Sequence, residues 1–282
     1  MKLIARDNAL DLSRPQVMGI LNVTPDSFSD GGAHNTLDMA LRHAEKMVLE
    51  GAAIIDVGGE STRPGADEVS EQEEVDRVIP VIEALVQRFN IWISVDTSKA
   101  LVMSESAKAG AHLINDIRSL QESGALESAA QSGLPVCLMH MKGQPRTMQD
   151  APHYENLLGE VKQFFTEQIE RCMAAGIARD KLILDPGFGF GKDLTHNYQL
   201  LAHLNELHQF GLPVLAGMSR KSMIGRLLYV PPQERVAGSV ACAVIAAMQG
   251  AQIIRVHDVK ETVQAMRIVE ETFTVKEEKN YE

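Results

Sequence analysis

Short apolar runs alternate with longer amphipathic stretches along this chain. The runs QVMGILNV, AAIIDVGG, WISVDTS, HLINDIRS, PVCLMHM, KLILDPG, PVLAGMS and IIRVHDV are short and mostly rich in Val, Ile or Leu, which predicts eight buried strands. Between them, residues 35–50, 70–88, 155–175, 234–249 and 259–272 place apolar side chains at helical spacing. GAAIID, GAHLIND, GLPVCLMH, GIARDKLILD, GLPVLAG and GAQIIRVHD each open with glycine just ahead of a strand, the expected stop of the preceding helix. Eight strand–helix units in about 250 residues predict an α/β fold of the (β/α)8 TIM barrel type. A doubly wound open sheet would also bury parallel strands, but no Gly-x-Gly-x-x-Gly follows the first strand. No linker or charge block divides the chain, so residues 1–282 read as one domain, with a lead-in over 1–15 and a polar tail over 273–282.

Composition narrows the partners. With 282 residues, 45% of them hydrophobic, a full core can be buried. The net charge of −11 excludes a broad basic surface for nucleic acid or anionic membrane, so an anionic ligand must be held by a few local cations. Cys137, Cys172 and Cys242 lie far apart without metal-site spacing and read as buried thiols. No signal-like segment opens the sequence and no run of about 18 apolar residues occurs, so a cytoplasmic, soluble protein is expected.

In a barrel, ligand chemistry belongs at the C-terminal ends of the strands. Here those ends read Asn22, Asp56, Asp96, Asn115 with Asp116, His140, Asp185, Ser219 with Arg220 and Lys221, and Arg255 with His257 and Asp258. Any one of them could simply bond loop backbone. Eight polar endings converging on one rim would be costly to desolvate unless they paired with each other or with a ligand. The strand period lets Asp96, Asn115 and Asp185 point together into the mouth. Two carboxylates and an amide suit a planar heterocycle that presents several N–H donors. Arg63, Arg220, Lys221, Arg255 and His257 suit phosphate oxygens or a carboxylate.

Other chemistries find no support. DPGFGFGKD fails the phosphate-loop pattern, because Pro186 stands where its first glycine is needed and Asp193 follows the lysine. The first strand ends in Asn22 rather than the His-x-His of metal-dependent hydrolases, and no Gly-x-Ser-x-Gly elbow occurs.

GILNVTPDSFSDGG, IIDVGGESTRPGA, ISVDTSK, INDIRS, LMHM, DPGFGFGK, GMSRKSMIG and IIRVHDV, in this order from Gly19 to Asp258, resemble the bacterial-type dihydropteroate synthase family. The resemblance implies condensation of 6-hydroxymethyl-7,8-dihydropterin diphosphate with 4-aminobenzoate, giving 7,8-dihydropteroate and pyrophosphate. It implies that Asp96, Asn115, Met139, Asp185 and Lys221 surround the pterin ring, and that Thr62, Arg63, Arg255 and His257 surround the diphosphate. Phe28, Arg63, Pro64, Phe190 and Ser222 would surround the aminobenzoate, and Asn22 would help carry Mg²⁺. Asp30, Lys221, Arg255 and His257 would take the catalytic roles, in a homodimer open to competition by sulfonamides. Two alternatives stay open: a pterin-binding domain of the methyltransferase type, and a non-catalytic pterin-binding paralogue. The first would not need the diphosphate cations, and the second is disfavoured by the presence of Asp26, Phe28, Asp30 and Lys221.

Overall fold

A computed structural model describes residues 1–24, 33–61, 68–143 and 152–278. Strands β1 (Lys2–Ala5) and β2 (Asn8–Asp11) form an antiparallel hairpin. The remaining strands are β3 (Gln16–Asn22), β4 (Ile54–Gly58), β5 (Trp92–Asp96), β6 (Leu113–Asp116), β7 (Val136–Met139), β8 (Leu182–Asp185), β9 (Leu215–Ala216) and β10 (Ile253–Val256). They make one parallel sheet of eight strands in the order β8-β7-β6-β5-β4-β3-β10-β9. A parallel bridge between Leu184 and Val214 joins the two edges, with Leu184 N–H donating to the Pro213 carbonyl at 2.9 Å. All eight expected strands are thus present and close into a barrel. Strand β9 is the shortest because Pro213 at its entry has no N–H for the ladder, although its carbonyl still accepts.

Helices α1 (Ala33–Leu49), α2 (Glu71–Arg88), α3 (Ala100–Ala109), α4 (Ala125–Ser132), α5 (Leu157–Ala174), α6 (Leu194–Ala202), α7 (Ser222–Leu228), α8 (Val236–Met248) and α9 (Val259–Glu278) accompany the sheet. The glycines expected to stop helices all take the left-handed conformation, with φ of 100° at Gly51, 111° at Gly110, 65° at Gly133, 94° at Gly176, 64° at Gly211 and 93° at Gly250. Gly250 is doubly constrained, since a Cβ there would sit 2.3 Å from His208 Nε2. Helix α2 runs through Pro80, an exposed position, because Val78, Val81, Ile82 and Leu85 bury the helix's other face. Ser70 caps it by accepting from Glu73 N–H at 3.2 Å.

Two expectations about the ends of the chain change. Helix α9 continues to Glu278 instead of stopping at Thr272, since TVKEE holds neither glycine nor proline to end it. The lead-in, assigned no role from the sequence, folds into the β1–β2 hairpin and buries Leu3, Ala5, Leu10 and Leu12. It lies across the N-terminal ends of the barrel strands. Arg6 donates to the Ala107 carbonyl at the end of α3, and Asn8 Nδ2 stands 3.3 Å from Nε2 of His112, just ahead of β6. His112 Nδ1 accepts from Ile93 N–H at 3.1 Å, and its ring stacks on Trp92. No helix among the described residues is long and apolar enough to cross a membrane. The three cysteines are buried and free.

Candidate active site

With the hairpin across one end of the barrel, the strand endings at the other end form the candidate site. Parallel register sets Asn22 beside Gly58, Gly58 beside Asp96 and Asp96 beside Asn115. A Cβ on Gly58 would lie 3.5 Å from both Asn22 Oδ1 and Asp96 Cβ, so the glycine leaves these two side chains facing each other across it. Two residues deeper on β4, Asp56 points to the same interior face.

Arg255, rising from β10, ties the ring together. Its Nε donates to Asp56 Oδ2 at 2.6 Å and its Nη2 to Asp96 Oδ2 at 2.8 Å. Asn115 Nδ2 also donates to Asp56 Oδ2, at 3.0 Å, which leaves the amide oxygen of Asn115 as an acceptor. Asp56 is fully buried, and its Oδ1 has no hydrogen-bond partner among the described residues. One guanidinium therefore serves two carboxylates. Burial holds Asp96 above the usual carboxylate range; Arg255 opposes this, while repulsion from Asp56 adds to it. Burial alone would weaken Arg255 as a cation, but Asp56 and Asp96 together raise its pKa.

The opposite wall comes from β7, β8 and the segments that follow β8 and β9. Asp185 accepts from Gly187 N–H at 2.8 Å, and burial raises its pKa against the pull of Lys221. Lys221, the N-cap residue of α7, donates from Nζ to the Phe188 carbonyl at 2.6 Å and stands 4.7 Å over the Phe190 ring. Burial pulls this lysine down to about 8, with Asp185 opposing the shift and Arg255 reinforcing it. Phe190 packs with Met139 in a small apolar cluster apart from the main core, flanked by Ile117 and Met141. The mouth thus carries acceptors, two cations and an apolar wall, a set that can grip a flat polar heterocycle by its edge and one face.

The remaining expected residues are placed more loosely. His257 is exposed, with Nδ1 2.9 Å from Ser219 Oγ, and it is one residue past the end of β10. Ser222 is exposed at the start of α7, beside Lys221. Asn22 is half-buried at the end of β3. Asp26, Phe28, Asp30, Thr62, Arg63 and Pro64 lie outside the described residues.

Not every polar strand ending faces the mouth. Asp116 follows Asn115, so alternation turns it away, and it accepts from Ser98 Oγ and from the N–H groups of Arg118 and Leu120. His140 is buried against Lys192 and the edge of Phe164. Arg220 pairs through both Nε and Nη2 with Asp258. In DPGFGFGKD, Lys192 binds backbone carbonyls, the reverse of a loop that offers N–H groups to phosphate. The sequence reading noted Asp56 as a strand ending but gave it no role. Its signal was its place two residues before the end of its strand, where a buried carboxylate needs a cation at once.

Comparison with known proteins identifies the family. The family described as pterin binding enzyme matches residues 18–257. The dihydropteroate synthase of Escherichia coli (strain K12) is 70% identical over 282 residues, covering 100% of each chain. The structure of Yersinia pestis dihydropteroate synthase with a sulfonamide drug superposes with a TM-score of 0.94 at 74% identity, covering 97% of this chain and 100% of that one. Xanthomonas albilineans dihydropteroate synthase with 4-aminobenzoic acid gives 0.91 at 50% identity, covering 96% and 97%. The chain belongs to the pterin-binding enzymes and, among them, to the dihydropteroate synthases.

Proposed function

We propose that the ring of Asp96, Asn115 and Asp185, with Lys221 opposite, holds the pterin of 6-hydroxymethyl-7,8-dihydropterin diphosphate while 4-aminobenzoate displaces the diphosphate to give 7,8-dihydropteroate. The observation that carries this reading is the pairing of the acceptors of Asp96, Asn115 and Asp185 with the donor of Lys221 beside the Met139–Phe190 wall. A ring rich in N–H groups on one edge and acceptors on another fits that pattern. Departure of the diphosphate leaves positive charge on the pterin methylene, and the buried carboxylates stabilise it where water is largely excluded. The arylamine then forms the C–N bond and loses its proton.

Arg255 and His257, with Thr62 and Arg63, belong to the diphosphate end of this proposal, and Phe28, Pro64, Phe190 and Ser222 to the aminobenzoate end. Among the described residues no cluster of three His, Cys, Asp or Glu side chains could hold a metal ion by itself. Asn22 offers one hard oxygen donor facing Asp96 across Gly58, which fits Mg²⁺ because that ion keeps waters and takes most of its protein-independent ligands from phosphates. When bound, Mg²⁺ would supply charge neutralisation to the leaving diphosphate. A homodimer is part of the same proposal; Leu227 and Leu228 on α7 and Ile245 and Met248 on α8 expose apolar surface that suits a second copy.

The test is pyrophosphate release by the purified protein with Mg²⁺. Release is expected only when both substrates are present, and a sulfonamide is expected to raise the KM for 4-aminobenzoate. No release with both present would overturn the proposal.

The titrating groups add a pH dependence. Asp96 must be ionised to accept from the ring, and its raised pKa means that acid removes the acceptor well above the ordinary carboxylate range. Lys221 must be charged to donate strongly, and it loses its proton through about pH 8. The profile of kcat/KM for the pterin substrate should therefore be bell-shaped, with an alkaline limb near pH 8 that disappears in Lys221→Ala. A flat profile from pH 6 to pH 10 would contradict these assignments.

A further inference from the structure

The buried amine of Lys192 has no place in the functions assigned so far. It is 2% exposed, and its stem fills space among fully buried residues. Its Nζ stands 2.9 Å from the Gly187 carbonyl, 3.0 Å from the Phe190 carbonyl, 3.0 Å from His140 Nδ1 and 3.3 Å from the His140 carbonyl. The two carbonyls at 2.9 and 3.0 Å accept from the amine, whose two N–H groups suffice even when it is neutral, and the contact with His140 Nδ1 takes its direction from the ring's tautomer; burial pulls the amine down to about 7. The amine thus gathers both ends of the turn 187–190 and pins that turn to the end of β7.

The same turn carries the groups that meet the Lys221 amine most closely. Lys221 Nζ bonds the Phe188 carbonyl at 2.6 Å and lies over the Phe190 ring, and a Cβ on Gly189 would sit 3.3 Å from Lys221 Cδ. The turn needs such holding, because its glycine backbone is permissive on its own. Gly187, Gly189 and Gly191 have φ of 71°, 81° and 63°, and a Cβ on Gly187 would lie 1.9 Å from the His140 carbonyl. Its outer side is fixed by Asn197, which accepts from Gly189 N–H at 2.7 Å and donates to the Lys192 carbonyl at 3.2 Å.

We propose that Lys192 is a positioning residue: its amine shapes the turn 187–190 so that the Phe188 carbonyl and the Phe190 ring hold Lys221 over the pterin site. Lys192 itself touches no substrate. The inference rests on the dihydropteroate synthase reading for the ligand used to test it, and turnover by the unaltered enzyme checks that reading separately.

The experiment is a double-mutant cycle on binding of 6-hydroxymethylpterin diphosphate, followed calorimetrically, with Lys192→Met, Lys221→Met and the double variant. Lys192→Met keeps the length of the stem and removes every donor. It should weaken pterin binding about 100-fold in the native background, the order of loss that a misplaced binding group produces. In the Lys221→Met background it should weaken binding less than about 3-fold, because the group it positions is gone. Lys192→Gln, which keeps two donors, should restore part of the affinity. Equal losses in both backgrounds, or no loss in the native one, would overturn the proposal. So would failure of both Lys192 variants to fold, which would make the amine a support of the barrel alone.

Discussion

Replacement of Arg255 by leucine is expected to destabilise the barrel by roughly 3–5 kcal/mol at neutral pH and to abolish turnover. The guanidinium bridges Asp56 and Asp96 at 2.6 and 2.8 Å, and leucine would leave both carboxylates facing each other across an apolar side chain. Asp56 would suffer most, being fully buried with one oxygen already without a partner among the described residues. Urea unfolding of Arg255→Leu measures the loss. Adding Asp56→Asn should recover part of the stability by removing the stranded charge, while leaving turnover absent because the diphosphate would still lack its cation. A cost below about 1 kcal/mol for Arg255→Leu would mean that water reaches these carboxylates and that the pair is worth no more than a surface one.

Lys221→Ala should have the opposite profile, with a large loss of activity and a small loss of stability. The side chain is half-buried and, among the described residues, makes one hydrogen bond, to the Phe188 carbonyl, so truncation should cost on the order of 1 kcal/mol in stability. Loss of a charged donor aimed at the ring should lower kcat/KM by about 10³-fold. Thermal unfolding and steady-state kinetics on one preparation separate the two effects. Lys221→Arg should not rescue, because a planar fork cannot occupy the place of a compact ammonium above Phe190. Near-normal kinetics in Lys221→Ala would remove this lysine from the site.

The barrel was legible because its rules are local. Val- and Ile-rich runs set the strands, and glycines placed just ahead of them set the helix stops, which need nothing from the rest of the chain. The β1–β2 hairpin escaped because four-residue strands carry too little alternation, and their partner is the underside of the barrel rather than a neighbour in sequence. In the site, strand parity brought Asp96, Asn115 and Asp185 together at the mouth, and the fold then sets Asp185 on the wall across from the other two. Strand parity could not say which cation each carboxylate would meet, since Arg255 is 199 residues from Asp56 and 159 from Asp96 along the chain. Parity also separates Asn115 from Asp116, a distinction that a list of polar strand endings blurs. Lys192 was hidden by its motif: the lysine of a glycine-rich loop suggests a ligand, whereas here its partners are the loop's own carbonyls.

The register Asn22–Gly58–Asp96–Asn115 has a consequence for how such a site can change. Each of these residues is placed by the backbone ladder, so the ring is graduated like a ruler whose smallest division is one strand residue, about 3.3 Å. No substitution at the rim can shift one mark by a fraction of that spacing without breaking interstrand hydrogen bonds. Gradual adjustment to a new ligand must therefore come from the connecting loops, while an inhibitor that spans the ring's fixed marks meets a target with few small steps by which to escape it.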